Sequence, residues 1–352
     1  MNQPFGDPEA DPVLERFNFL VNAPALFNAV VTATELDIFG FLSSNPGAEF
    51  EKVREFTGLA AHPLRVLLHA VCTTGLLERD GTGGYTNARA AEQLLATDAP
   101  DSWRRILLGW REIYYPAFGQ MTGALRAGTN TALADYPGTE PTLYQRLAHQ
   151  PELERVFHDS MSAFTMHSLS GLVDREEFFG PARHLLDVGG GDGTTTAALV
   201  ERYPELRVTV FDMPSVARLA EQTRTAVPPD RVELAAGDLF ADAFPEGADT
   251  VLFSHVLEIF SGEQIVALLR KAHQALPAGG RAIVYGYNVS DDETRGLFSA
   301  RLSLYLNILA SGQGMAYPAK DYEQWLRQAG FAEVTTIGGL PFEHGLTTGV
   351  KA

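Results

Sequence analysis

Leu185-Leu186-Asp187-Val188-Gly189-Gly190-Gly191-Asp192-Gly193 is the stretch on which the fold of this chain turns. An apolar strand runs into it, and a helical pattern, Thr194 to Arg202, leaves it. Glycines at such a turn let a ligand approach the backbone closely. In a doubly wound sheet that place is the carboxyl end of a strand, where ligands bind. The spacing is not the G-x-G-x-x-G that sets a pyrophosphate on a helix N-terminus. Asp187 and Asp192 flank the glycines and would repel a pyrophosphate, whereas a cationic, phosphate-free ligand tolerates them.

Outward from this turn, short apolar runs at 184–188, 207–211, 231–236, 249–254 and 281–287 alternate with helical stretches. Strands alternating with helices predict a parallel sheet covered on both faces. Helical patterns at 293–311 and 319–329, then strand candidates near 332–337 and 345–350, add a late hairpin. The expectation is an α/β, Rossmann-like domain over 181–352 with a mostly parallel seven-stranded sheet. Two further acids end strands. Asp212, after Val208–Phe211, is placed to accept from ribose hydroxyls. Asp238, in Gly237-Asp238-Leu239, can accept from an adenine amino group while Met213 and Leu239 pack on the ring faces. Three strand-end acids in this order point to S-adenosylmethionine (SAM), which carries a sulfonium and an amino group and leaves S-adenosylhomocysteine after methyl transfer.

Upstream the chain is helical. The first 12 residues, with Pro4, Gly6, Pro8 and Pro12 among acids, read as a disordered tail. Residues 13–42 read as one helix, apolar on more than one face, that packs against something large. A helix over 49–57, a second from His62-Pro63 and two short strands around Asp80-Gly81 outline a winged helix within 13–100. Residues 101–180 read as a helical layer rich in aromatic and methionine side chains that contributes to a pocket. With 352 residues two domains are expected. A formal net charge of −17 argues against nucleic acid, as does a candidate recognition helix with only Arg65 as a firm positive charge. The single cysteine, Cys72, permits no internal disulfide, and no N-terminal signal pattern or uncharged apolar run of bilayer length was expected, so the reading is a cytoplasmic protein without membrane contact.

Asp187 to Gly193, Phe211-Asp212-Met213-Pro214, Gly237-Asp238-Leu239-Phe240 and the tail Trp325 to Phe331 resemble the SAM-dependent O-methyltransferases of plant phenylpropanoid and bacterial aromatic polyketide pathways. The resemblance covers nearly the whole chain. It implies a class I methyltransferase domain, a homodimer through the N-terminal domain and a small-molecule substrate. It adds Ser254 to the cofactor residues Asp187, Gly189, Gly190, Gly191, Asp212, Met213, Asp238 and Leu239. It places Met161 against an aromatic substrate and Asn307 in the pocket. Tyr305 stands where the family often has an acid, and with Phe164 and His167 nearby it makes an apolar, aromatic pocket.

The chain departs from the family at the base. The family carries a His-Asp-Trp motif after the fourth strand, whose histidine is the general base. This chain reads Ser254-His255-Val256-Leu257-Glu258-Ile259-Phe260, with Glu258 in the histidine's place, and the family's orienting glutamate falls at about Gly286. Glu258 is then a base whose pKa burial must raise, or a helix-start carboxylate. His255 is a second candidate base or a structural histidine. A metal held by His255 and Glu258 lacks the companion ligands such sites need. Besides O-methylation, the residues leave open a C- or N-methyltransferase, a methyltransferase fold turned to cyclisation or rearrangement, and a SAM-sensing regulator.

Overall fold

The computed structural model describes residues 11–352 apart from 215, 217–219, 222–226 and 229; of the expected 1–12 tail, residues 1–10 therefore lie outside the described residues. The chain divides between Arg111 and Glu112 into two compact units.

The N-terminal unit opens on α1 (Pro12–Glu35). Asp11 caps it by accepting from the backbone N–H of Val13 and Leu14, at 3.0 and 3.3 Å, and Pro12 takes the first turn, where no N–H is needed. The single helix expected over 13–42 is two. The chain breaks at Leu36-Asp37, where Asp37 adopts a left-handed conformation (φ 54°) and its carboxylate pairs with Arg104; α2 (Ile38–Ser44) follows. Next come α3 (Phe50–Thr57), ended by Gly58 at φ 67°, and α4 (Ala61–Thr73). The antiparallel strands β1 (Leu77–Arg79) and β2 (Tyr85–Asn87) complete the winged-helix outline, followed by α5 (Arg89–Leu95) and α6 (Trp103–Gly109). Ile38, Phe39, Leu42, Leu64, Leu68 and Val71 form its core. The unit extends past the boundary expected at 100. Arg104 reaches Asp37 and the Leu95 carbonyl, and Arg111 pairs with Glu35, so 101–111 are tied into it.

One expectation about α1 is corrected. Among the described residues this helix is long and apolar enough, by length and composition, to cross a membrane. Its uncharged stretch runs from Phe17 to Thr34, with Asn18, Asn22, Pro24 and Asn28 among the apolar residues. Val30 and Ala33 belong to the unit's core, while Val13, Phe17, Phe19, Leu20 and Val21 are exposed.

The C-terminal unit begins with α7 (Tyr115–Phe118), α8 (Met121–Ala127), α9 (Leu143–Arg146), the long α10 (Pro151–Val173) and α11 (Glu176–Phe179). The alternating part follows: β3 (His184–Val188), α12 (Thr194–Arg202), β4 (Arg207–Asp212), β5 (Val232–Ala236), β6 (Thr250–Ser254), α13 (Gly262–Ala275) and β7 (Arg281–Tyr287). Then come α14 (Leu297–Tyr305), α15 (Ala319–Gln328), β8 (Phe331–Leu340) and β9 (His344–Lys351). The sheet has seven strands in the order β5-β4-β3-β6-β7-β9-β8. The first five are parallel, and β9 pairs antiparallel with both β7 and β8. Strand order reverses between β3 and β6, which sets the glycine turn at the switch point.

The period-two alternation of the strands builds two cores. Leu186, Val188, Val251 and Phe253 face α13 and α15, and Leu185, Val208, Val210, Leu252 and Ile283 face α10 and α12. Each such side chain contributes roughly 1.5–3 kcal/mol. The ends of these strands are thereby fixed, and they carry the site.

Candidate active site

The loops after β3, β4, β5 and β6 open onto one cavity of about 570 Å3 in the C-terminal unit. It is lined by Asp187, Gly189, Gly190, Gly191, Asp212, Met213, Asp238, Leu239 and Ser254, and by His255, Glu258, Met161, Phe164 and Tyr305.

At the glycine turn the backbone needs glycine for two reasons. Gly189, Gly191 and Gly193 have φ of 70°, 62° and 82°, which side-chain-bearing residues rarely adopt. A Cβ on Gly190 would sit 2.7 Å from Asp187 Oδ2. Asp187 is fully buried; Thr196 Oγ1 donates to its Oδ2 at 2.7 Å, while Oδ1 has no partner. Burial pushes its pKa up to about 6, against the Thr196 hydrogen bond. The Ser254 hydroxyl, at the end of the neighbouring strand, is also buried without a partner. A buried carboxylate oxygen beside an unpartnered hydroxyl suits a ligand that brings hydrogen-bond donors and positive charge.

The next two acids are held by backbone. Asp212 accepts from Gly191 N at 2.9 Å and Met213 N at 2.7 Å; burial raises its pKa and these bonds oppose the rise. They tie the end of β4 to the glycine turn and leave each oxygen a second lone pair for a ribose hydroxyl. Asp238 Oδ1 accepts from Phe240 N and Ala241 N, both at 2.8 Å, which holds its pKa below the ordinary value. Its own N–H goes to Asp242 Oδ2 at 2.8 Å. The loop that presents Leu239 is therefore held by three local hydrogen bonds.

At the far end of the cavity Glu258 lies in a single helical turn, Leu257–Ile259, and is only 3 % exposed. Its Oε1 accepts from Tyr287 N at 3.0 Å, and burial pushes its pKa up to about 7. A Cβ on Gly286 would run into that same oxygen. The carboxylate at 258 thus fills space that any side chain at 286 would need. Gly314, at φ 81°, lies against the Glu258 and Ile259 carbonyls, where a Cβ has no room.

His255 has an unusual backbone (φ 58°), fixed by its N–H to Tyr285 O at 2.8 Å. Its ring meets the edges or faces of Tyr285, Tyr287 and His344 at centroid distances of 5.5, 5.8 and 4.9 Å. Its Nε2 is enclosed without a partner. Burial, and secondarily His344, hold its pKa well below the ordinary value; burial holds His344 at about 4. Both imidazoles stay neutral, and a ring this weakly basic is a poor proton acceptor. Among the described residues no three His, Cys, Asp or Glu side chains converge as metal ligands would.

Two expected substrate contacts do not line the cavity. Asn307 donates to Ser303 O at 2.9 Å and Gly314 O at 2.8 Å, so it secures the turn that packs on Glu258. His167 instead sits against Phe342, 5.8 Å between ring centroids. Tyr114 and Tyr144, from the aromatic-rich layer, also line it, together with four residues not expected there: His158, Ser162, Tyr287 and Arg301. Helical spacing holds a signal for three of them. His158, Met161, Ser162 and Thr165 share one face of α10, and Arg301 stands one turn before Tyr305 on α14.

A mostly parallel seven-stranded sheet, a glycine turn at its switch point and acids on three adjacent strand ends define a SAM-dependent methyltransferase. Residues 118–332 match the family model of the O-methyltransferase domain, and the chain belongs to that family. It is 33 % identical to the L-tyrosine C(3)-methyltransferase of Streptomyces lavendulae over 90 % of this chain and 87 % of that one. It is 31 % identical to a tetracenomycin polyketide synthesis 8-O-methyl transferase of Streptomyces glaucescens, over 88 % of each chain. Among solved structures it is similar to the SAM-dependent methyltransferase SibL in its apo form, with a TM-score of 0.80 at 32 % identity, covering 96 % of this chain and 99 % of that one. SAM is the cofactor, and the unpartnered Asp187 Oδ1 and Ser254 Oγ fit its donor groups.

Proposed function

We propose that this enzyme methylates a phenol-bearing small molecule of aromatic or polyketide type, with Glu258 as the general base. The observation that carries this reading is a buried carboxyl poised near pH 7 at the inner end of an aromatic cavity, in the place where the family keeps its histidine. SAM supplies a methyl group on a sulfonium, which leaves as a neutral thioether. Asp187, Asp212 and Asp238 orient the cofactor, and Met161, Phe164 and Tyr305 wall the acceptor. The bond to the methyl carbon forms as the carbon–sulfur bond breaks, and Glu258 takes the phenol's proton. Positioning supplies roughly 7–11 kcal/mol of such a displacement, and a base about 10²–10⁴ in rate. A phenolate is nucleophilic at oxygen and at its ortho ring carbon; on the carbon path the methylated ring then loses its C–H proton as the oxygen regains one, an exchange the same carboxyl can serve. The two relatives are named for a carbon of L-tyrosine and for an oxygen of tetracenomycin. Incubation with SAM and a panel of phenols, followed by mass spectrometry, tests this; no gain of a methyl mass on any phenol, while amines are methylated, refutes it.

We propose also that the protein is a homodimer, because α1 exposes Val13 (71 %), Phe17 (55 %) and Leu20 (69 %) along one helix, an apolar surface that a second copy would cover. A cytoplasmic location goes with the single free thiol, Cys72, half-buried and without a bridging partner residue.

A further inference from the structure

The cavity carries five acids, Asp187, Asp192, Asp212, Asp238 and Glu258, and among its described lining residues one arginine or lysine, Arg301. Four of the acids stand at the glycine turn and the strand ends, where the cationic cofactor belongs. Arg301 stands elsewhere, on α14, with its guanidinium carbon 5.4 Å from the centroid of the Tyr114 ring. Tyr114 in turn packs against Tyr305 at 4.1 Å, and the charge of Arg301 is felt by Tyr115 and Tyr287 as well. The cation is therefore embedded in the aromatic wall that faces the acceptor.

Such a wall does not require a cation to be stable, since tyrosines and leucines pack well without one. Arg301 also donates to the Tyr114 hydroxyl, and an arginine anchored in this way on an aromatic face is suited to recognition. The ring holds the planar group in place, and its several N–H donors form a fork that matches a carboxylate bidentately. Among the lysine, arginine and acidic side chains described in the lining, a substrate anion would otherwise meet only acids, and like charge at short range repels it. One guanidinium with no second lysine or arginine among the described lining suits a monoanion better than a phosphate ester.

We propose that Arg301 is a specificity-determining residue that binds a carboxylate on the phenolic substrate, and that the enzyme acts on hydroxyaryl acids in preference to their neutral analogues. This rests on the methyltransferase reading of the same cavity.

The test is calorimetric titration of the protein, saturated with S-adenosylhomocysteine, with 3-hydroxybenzoate and with its neutral counterpart 3-hydroxybenzamide. The acid should bind roughly 10- to 100-fold more tightly, the range for a charge-assisted bidentate hydrogen bond. Added NaCl should weaken the acid and leave the amide unmoved, which needs no variant. Arg301→Gln should erase the preference, bringing the acid's affinity down to that of the amide while S-adenosylhomocysteine affinity holds, and Arg301→Lys should keep part of it. Equal binding of acid and amide, absence of both included, or a preference that survives in Arg301→Gln, overturns the proposal. If S-adenosylhomocysteine itself fails to bind, the cofactor reading falls and takes this one with it.

Discussion

Replacing Glu258 by Gln perturbs the site at one proton. The amide oxygen can still accept from Tyr287 N, and the side chain still fits over Gly286. In the folded protein burial raises the Glu258 pKa from 4.5 to about 7. The folded state therefore binds more protons at this site than the unfolded state between those values. Stability falls as pH rises through that window, and above pH 7 the full cost of the buried charge is present. At roughly 1.4 kcal/mol per unit, that cost is about 3 kcal/mol. Glu258→Gln removes it, less what its amide N–H groups cost if they stay unpaired. Thermal unfolding of both proteins, followed from pH 5 to pH 8, should show the variant gaining on the wild type as pH rises and levelling off above 7. Catalysis should move the opposite way. Wild-type kcat/KM should rise about tenfold between pH 6 and pH 8 as the base ionises, and the variant should lose about 10²–10⁴ at pH 8 together with that rise. A stability difference that does not change with pH refutes the raised pKa. An unchanged rate and profile in Glu258→Gln refutes the base.

Gly286→Ala puts a methyl group where the Glu258 carboxylate lies; it should destabilise by about 1–3 kcal/mol and lower activity, and pairing it with Glu258→Ser should recover the lost melting temperature by more than additivity allows. Asp187→Asn should weaken S-adenosylhomocysteine roughly 10- to 100-fold by calorimetry, since it removes the buried negative charge that faces the ligand's amino group, while thermal stability above pH 6 is kept or improved. Phe17→Glu with Leu20→Glu on the exposed face of α1 should turn a dimer into a monomer by sedimentation velocity, with the C-terminal unit still binding S-adenosylhomocysteine.

Much of this protein is legible without coordinates. The alternation of Leu185 with Leu186, and of Leu252 with Val251 and Phe253, is a local property of a strand covered on both faces, and it locates the sheet directly. The acids at 187, 212 and 238 end strands, and strand ends in a parallel sheet share one edge, so their convergence needs only the element order. The resemblance to the family also marks Glu258 and Gly286 as the positions where its histidine and glutamate are expected. That these two changes are one could not be read from spacing. Glu258 lies in the turn that follows β6 and Gly286 near the end of the neighbouring β7, and only their packing shows the carboxylate occupying the space that glycine leaves. The break at Asp37 was hidden for a similar reason: the apolar period continues through it, and the charge that pairs with Asp37 there, Arg104, is far along the chain. Asn307 and Arg301 show the same limit from two sides. Both lie on one helical run, but only tertiary contacts turn the first toward the Gly314 carbonyl and set the second among the tyrosines of the cavity wall. The sequence alone determined the class of fold and the cofactor edge, because both follow from local periodicity and chain order. Which side chains can exchange a proton or hold a charge was decided by burial, and burial belongs to the assembled structure.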